Sequence, residues 1–213
     1  MKKKDLREFR REYSVKGLEE SGLPADPVNL FSSWLNDAIE QGLTEPNAMT
    51  LATAGSDCRP NARIVLLKEV SGGNFVFFTN YESRKGIELE QNPYASAVFL
   101  WLELHRQVRI RGRVEKLSPR LSDEYFSIRP RGSQLGALVS QQSRPVTRSE
   151  LESRFAQEQK RLEGSKVQRP RYWGGYTLNP DSIEFWHGRE SRLHDRILYR
   201  KSADSWVFER LAP

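Results

Sequence analysis

Four side chains able to grip or protonate an anionic ligand, Arg189, Arg192, His194 and Arg196, fall within eight positions in the stretch S-I-E-F-W-H-G-R-E-S-R-L-H-D-R, from Ser182 to Arg196. Guanidinium forks hold phosphate or ring oxygens bidentately, and an imidazole donates, accepts or carries a proton near neutrality. Ile183, Phe185 and Trp186 read as a strand that Gly188 interrupts. An extended continuation puts Arg192, His194 and Arg196 on one face, and Leu193 and Asp195 on the other. Such a face suits a planar, anionic ligand. A solvated, arginine-rich hairpin edge has the same residue types, so this stretch alone does not separate the two.

Three further groupings carry cations. R-I-V-L-L-K, Arg63 to Lys68, has a cation at each end of a branched apolar run. On a regular strand the two lie on opposite faces and could serve two anions, or they are the snorkelling ends of a core strand. Thr79, Ser83, Arg84 and Lys85 stand where a strand gives way to a helix start, a natural phosphate site because backbone N–H groups there lack partners. Tyr125, Arg129 and Ser133 recur every four residues; the first two share a helix face and the third lies beyond the Pro130 break, the pattern of a second phosphate clamp. A capping serine and an exposed arginine would look much the same. Neither a Walker nor a G-x-G-x-x-G pattern occurs, and His105, His187 and His194 lack metal-ligand spacing, so no metal is expected.

The elements that must position these groups follow from periodicity. Residues 1–25 are charged, with a weak apolar repeat at Leu6, Phe9 and Tyr13, and are expected to be a mobile segment. Asp26-Pro27 starts an amphipathic helix that carries Leu30, Phe31, Trp34, Leu35, Ala38 and Ile39 up to Gly42. Strands are predicted over 49–54, 61–70, 74–79, 95–102, 107–117, 174–178, 182–186, 197–201 and 206–210, and helices over 83–92, 118–128 and 147–162. In 107–117, Val108, Ile110 and Val114 face a core, while Gln107, Arg109, Arg111 and Arg113 face water or ligand. Consecutive strands with interspersed helices indicate an α+β antiparallel barrel with flanking helices, as one domain over 26–213, rather than a doubly wound sheet.

The 213 residues are 37% hydrophobic, enough for an ordinary core, and 34 Lys and Arg against 28 Asp and Glu give +6, which favours anionic partners. Cys58 is the only cysteine, which rules out an intramolecular disulfide and fits a reducing compartment. The N-terminal residues lack the apolar core of a signal peptide, and no run approaches the roughly 20 apolar residues of a membrane span; a cytoplasmic protein is predicted.

Taken in order, R-R-E-Y (10–13), L-P-A-D-P (23–27), R-I-V-L-L-K (63–68), S-R-K (83–85), R-Q-V (106–108), S-x-R-P-R-x-S-Q-x-G-A (127–137), Q-S (142–143), F-W (185–186), R-L-H-D-R (192–196) and R-L-A-P (210–213) resemble the pyridoxine 5′-phosphate oxidase family of FMN enzymes. The resemblance covers nearly the whole chain. It implies a split β-barrel of Greek-key type, a homodimer with FMN in clefts between subunits, and no nucleic-acid or membrane partner. It implies that Arg63, Arg84 and Lys85 hold the FMN phosphate. Ile64, Val65, Leu66, Leu67, Lys68, Phe78, Thr79, Ser83, Gln107, Gln142, Ser143, Trp186 and Arg196 would complete the flavin site.

For the substrate it implies a phosphate grip by Lys68, Tyr125, Arg129 and Ser133. Arg192, Leu193 and His194 would lie against the pyridine ring, with Arg192 and His194 as the catalytic pair and Arg10, Arg11, Glu12 and Tyr13 closing as a lid. The implied reaction is oxidation of pyridoxine or pyridoxamine 5′-phosphate to pyridoxal 5′-phosphate, with hydride passing from C4′ to flavin N5 and O2 reduced to hydrogen peroxide. Phe78, where the family often has Tyr, and Glu45, where Asp is usual, depart from the pattern. Two competing readings are a flavin reductase on the same barrel, and a nucleic-acid-binding barrel with Arg109, Arg111 and Arg113 as a phosphate stripe and Trp101 or Tyr94 as stacking platforms.

Overall fold

The protein was analysed as a computed structural model that describes residues 17–203 and 205–213. The lid residues Arg10, Arg11, Glu12 and Tyr13 lie outside them. The described strands are β1 (Ala48–Ala54), β2 (Pro60–Leu66), β3 (Glu69–Ser71), β4 (Asn74–Asn80), β5 (Tyr94–Trp101), β6 (Arg106–Lys116), β7 (Trp173–His187), β8 (Asp195–Ser202) and β9 (Ser205–Arg210). They form one sheet in the order β2-β1-β5-β6-β7-β4-β3, with β8 on β7 and β9 on β8. The β1–β2, β3–β4, β4–β7, β7–β8 and β8–β9 pairings are antiparallel. The helices are α1 (Pro27–Glu40), α2 (Arg84–Gln91), α3 (Pro119–Ile128), α4 (Arg131–Val139) and α5 (Arg148–Arg161). No helix among the described residues is long and apolar enough to cross a membrane.

The chain packs as two compact units. One comprises the described residues up to Pro46 with Val98–Ile110 and Asp181–Pro213; the other comprises Asn47–Ala97 and Arg111–Pro180. In the first, the Asp26 carboxylate accepts from Val28 N and caps α1, and Pro27 occupies the helical position that needs no N–H donor. The buried face of α1 sets Phe31 edge-on to Phe99 at 5.0 Å and Trp34 edge-on to Phe185 at 5.3 Å. In the second unit Ser83 caps α2, Ser118 caps α3, and Thr147 with Glu150 forms the expected capping box of α5. Phe126, Leu135, Val167 and Trp173 make a core under α3 and α4.

Four expectations need correction. The strand expected over 61–70 stops at Leu66 and resumes as the short β3, because Leu67 N bonds to Asn47 O and Lys68 N to Val76 O, turning the chain. The strands expected over 174–178 and 182–186 are one, β7, which runs through Pro180. Proline is tolerated there because residues 173–178 pair with β4 and 182–187 with β8, so it falls between the two ladders. Gly112 is also needed, since a Cβ at that position would meet Asn179 O at 2.0 Å. Third, residues 190–192 form a 3-10 turn with Ser191 at φ 53° and Arg192 at φ 61°, so the one-face alternation of Arg192, His194 and Arg196 does not hold. Fourth, Arg129 follows α3 in extended conformation instead of sharing a helix face with Tyr125.

Candidate functional site

The second unit carries an open cleft of about 1030 Å³, as large as ordinary cofactor and ligand pockets. Arg63, Ile64, Val65, Leu66 and Lys68 line one part of it, from β2 and the turn that follows. Phe78, Thr79, Arg84 and Lys85 come from the end of β4 and the start of α2; Tyr125, Arg129 and Ser133 from the α3–α4 corner; Gln142 and Ser143 from the loop after α4. Arg63 and Lys68 therefore face the same cavity, contrary to the opposite faces that strand alternation implies. Leu67 is buried and Ser83 is fully buried; neither is among the cavity-lining residues.

Lys85 is the centre of one cation cluster. Its buried ammonium donates to Thr79 Oγ1 at 3.0 Å, Gln142 Oε1 at 3.0 Å and Ser83 Oγ at 3.3 Å. Burial, then the Arg63 guanidinium, pull its pKa down to about 8, against an opposing pull from Glu88. Arg63 donates to Thr53 Oγ1 and to Glu88 Oε2, and Arg84 Nε donates to Glu88 Oε1 at 2.8 Å. Arg84 N, at the open end of α2, donates to the hydroxyl of Ser143, a residue held at φ 71°. Loop, helix start and strand are thus tied into one electropositive wall.

The second grip is built on aromatic rings. Phe78 stacks on Tyr125 at 3.8 Å and on Trp173 at 5.6 Å, and the Arg129 guanidinium lies 4.5 Å from the Trp173 ring centre. Its buried Nη1 has no hydrogen-bond partner among the described residues, and burial lowers its pKa. A desolvated guanidinium N–H without a partner is costly unless a ligand supplies one. Phe78 brings a ring and no hydroxyl to this floor.

The other expected residues belong to the first unit. Gln107 is half-buried on β6. His194 lies 4.7 Å from the Trp186 ring, and its Nδ1 accepts from Arg189 N at 3.0 Å. That bond leaves the neutral ring's proton on Nε2. Burial, then the charge of Arg192, lower the His194 pKa, with Asp195 opposing. Arg196 is paired with Glu184 at 3.0 Å and donates to Ala212 O. Arg192 and Leu193 are exposed. Of the features of the nucleic-acid reading, Trp101 is buried and donates to Pro46 O, Arg109 is paired with Glu184 and Arg113 with Glu115, while Tyr94 is exposed.

Sequence reasoning missed Glu88, Thr53, Asn61 and Trp173. Only Glu88 left a signal, its i,i+4 spacing from Arg84.

Comparison with known proteins places the fold among the split-barrel flavoprotein folds. A crystal structure of PhzG from Burkholderia lata, in complex with tetrahydrophenazine-1-carboxylic acid, superposes with a TM-score of 0.88 at 31% identity, covering 94% of this chain and 100% of that one. A pyridoxamine 5′-phosphate oxidase-related, FMN-binding protein from Nostoc punctiforme shares the fold with a TM-score of 0.70 at 16% identity, over 91% of this chain and 99% of that one. Residues 35–161 match the family model for pyridoxamine 5′-phosphate oxidase, and residues 173–213 that for the pyridoxine 5′-phosphate oxidase C-terminal dimerisation region. A pyridoxine/pyridoxamine 5′-phosphate oxidase from Rubrobacter xylanophilus is 51% identical over 212 residues, 99% of this chain and 98% of that protein. The chain belongs to the pyridoxine/pyridoxamine 5′-phosphate oxidase family.

Proposed function

We propose that this protein is an FMN-dependent oxidase that converts pyridoxine 5′-phosphate or pyridoxamine 5′-phosphate to pyridoxal 5′-phosphate, working as a homodimer with the flavin at the subunit interface. The observation that carries this reading is one cavity containing two separately built cationic grips, the Arg63–Arg84–Lys85 cluster and Arg129 with Lys68, Tyr125 and Ser133. A flavin mononucleotide and a phosphorylated vitamer together bring two phosphates. The fit is chemical as well as numerical: Lys85 is buried among neutral acceptors, and Arg129 has an N–H without a partner among the described residues, so both gain from an arriving anion.

FMN, when bound, would supply a hydride acceptor for the substrate and, once reduced, a two-electron donor for O2 that gives hydrogen peroxide. This chain's residues bind and orient. The first cluster anchors the flavin phosphate, with Gln107, Gln142, Ser143, Trp186 and Arg196 around the rest of the cofactor. The second grip fixes the substrate phosphate, so that C4′ is held at reacting distance. Arg192 and His194 take the pyridine ring, and His194 with its proton on Nε2 is a hydrogen-bond donor to it rather than a base.

The test is turnover with FMN-loaded protein. Pyridoxine 5′-phosphate should be oxidised with one hydrogen peroxide formed per aldehyde, and unphosphorylated pyridoxine should be a far poorer substrate. Equal kcat/KM for the two would remove the second phosphate grip, and turnover of neither would leave a flavin reductase-like protein.

A further inference from the structure

Glu88 does not line the cavity, yet it holds two residues that do. Its side chain is buried, at 3% exposure. Oε2 accepts from Thr53 Oγ1 at 2.5 Å and Arg63 Nη2 at 3.2 Å, and Oε1 accepts from Arg84 Nε at 2.8 Å and Asn61 Nδ2 at 3.3 Å. The donors come from three elements, β1, β2 and α2. The β1–β2 register places Thr53 opposite Asn61 and Leu51 opposite Arg63, so the donors from the two strands share a face. Desolvation pushes the carboxyl upward, but the donations from Thr53, Arg84, Asn61 and Arg63 together outweigh it and hold its pKa at about 2.

We propose that Glu88 is a positioning residue for the flavin phosphate: it clamps Arg63 and Arg84 into one rigid pair and leaves the cluster with the net charge that a phosphate dianion requires. The inference rests on the flavin-phosphate reading of the cavity. Two arginines from different elements repel each other, and an arginine free to move loses rotamer entropy when it meets a ligand. A shared buried carboxylate removes the repulsion and takes the ordering cost at folding. Arg63, Arg84 and Lys85 against Glu88 leave two positive charges, matching a phosphate monoester above its second pKa of about 6.

The charge of Glu88 also reaches Lys85. The charged groups acting on that ammonium are Arg63 from β2, which depresses its pKa, and Glu88 from α2, which raises it; Thr79, Ser83 and Gln142 are neutral acceptors. Around Glu88 itself stand Arg63 and Arg84, and Asp57 acts on Arg84. Lys85 must be protonated to hold phosphate, so FMN affinity falls as pH rises through its pKa. Glu88→Gln keeps the shape, removes the charge and lets that pKa drop further, moving the fall to lower pH.

The experiment titrates apoprotein with FMN and with riboflavin by flavin fluorescence, from pH 6.5 to 9.5, for the native protein, Glu88→Gln and Glu88→Asp. Glu88→Gln should bind FMN about tenfold more weakly at pH 8.5, with a smaller loss at pH 6.5, and should leave riboflavin binding unchanged. Glu88→Asp keeps the charge and loses the reach, so its FMN affinity should fall by a similar factor at every pH and the midpoint should stay in place. This variant carries the test if Glu88→Gln does not fold. Profiles for FMN that coincide with the native one, or equal losses for FMN and riboflavin, would overturn the proposal. A native protein that does not prefer FMN to riboflavin would instead overturn the flavin-phosphate reading beneath it.

Discussion

At the scale of single residues, the two grips differ in how far the protein meets their polar needs: Lys85 spends its three donors on Thr79, Ser83 and Gln142, whereas Arg129 does not. Arg129 has one buried guanidinium nitrogen without a hydrogen-bond partner among the described residues, and its guanidinium carbon lies 4.5 Å from the Trp173 ring centre. Its planar fork and its stacking cannot be reproduced by a lysine. Arg129→Lys should therefore behave much like Arg129→Ala, raising KM for pyridoxine 5′-phosphate by about ten- to a hundredfold, the worth of a charge-assisted contact of roughly 1.5 to 3 kcal/mol. FMN content should stay at the native level. A lysine variant with native KM would show that charge alone suffices. His194 makes a different demand, because protonating Nδ1 would break its bond from Arg189 N. Burial lowers the pKa of this imidazole, so the neutral form persists below pH 6.5, and the acid-side fall of kcat/KM at saturating FMN should lie below that value. His194→Ala should lose most of kcat/KM together with this acid limb while retaining flavin. Native kcat/KM in His194→Ala would return residues 189–196 to a hairpin edge.

At the scale of elements, caps and periodicity were legible and chain reversals were not. Asp26-Pro27, Ser83, Ser118-Pro119 and the Thr147–Glu150 box each announce a helix start by local hydrogen-bonding chemistry, and each capped helix begins there. The site residues of the second unit were legible as motifs, since cations beside hydroxyls recur in separate segments. Their common cavity was not legible, because it depends on the turn at Leu67-Lys68, made by bonds to Asn47 and Val76 that strand alternation within 63–68 does not show. The same limit explains the turn at 190–192, where local alternation suggested an extended strand. Strand β7 reads in the sequence as two strands on either side of Pro180, because nothing local shows that its two halves pair with different strands. The backbone there approaches β6 closely enough that a Cβ at Gly112 would collide with Asn179 O and the Pro180 Cα, at 2.0 and 2.7 Å. Backbone atoms cannot swing aside, so Gly112→Ala should cost about 1 to 3 kcal/mol of stability in denaturant unfolding. A neutral result would mean that β6 and β7 can separate without penalty.

At the scale of the whole molecule, ionisation separates stability from cofactor binding along the pH axis. His187 is buried, its Nδ1 has no hydrogen-bond partner among the described residues, and its pKa is pushed down to about 4. Desolvation is the main cause; Arg106 adds most to it, Arg189 and His105 contribute in the same direction, and Asp195 opposes. The folded value lies below the unfolded value of about 6.5, so the unfolded chain binds more protons between the two. The stability this histidine contributes is complete above pH 6.5 and is lost as pH falls toward 4, an amount of about 2 to 3 kcal/mol. Glu88 follows the same sign in a lower window, losing its contribution only as pH falls from the ordinary carboxylate range toward 2. Lys85 acts at the other end, where loss of its proton above about 8 weakens an anion's hold and relieves a buried charge. Acid should therefore unfold the protein in a range where Lys85 is fully charged, and alkali should release FMN while the fold stands. The histidine component is isolated by His187→Phe, which keeps a ring beside Trp34 and removes the titration. Urea midpoints at fixed protein concentration should drop between pH 6.5 and 4.5 in the native protein and drop distinctly less in the variant. Parallel curves would assign the acid sensitivity to other groups.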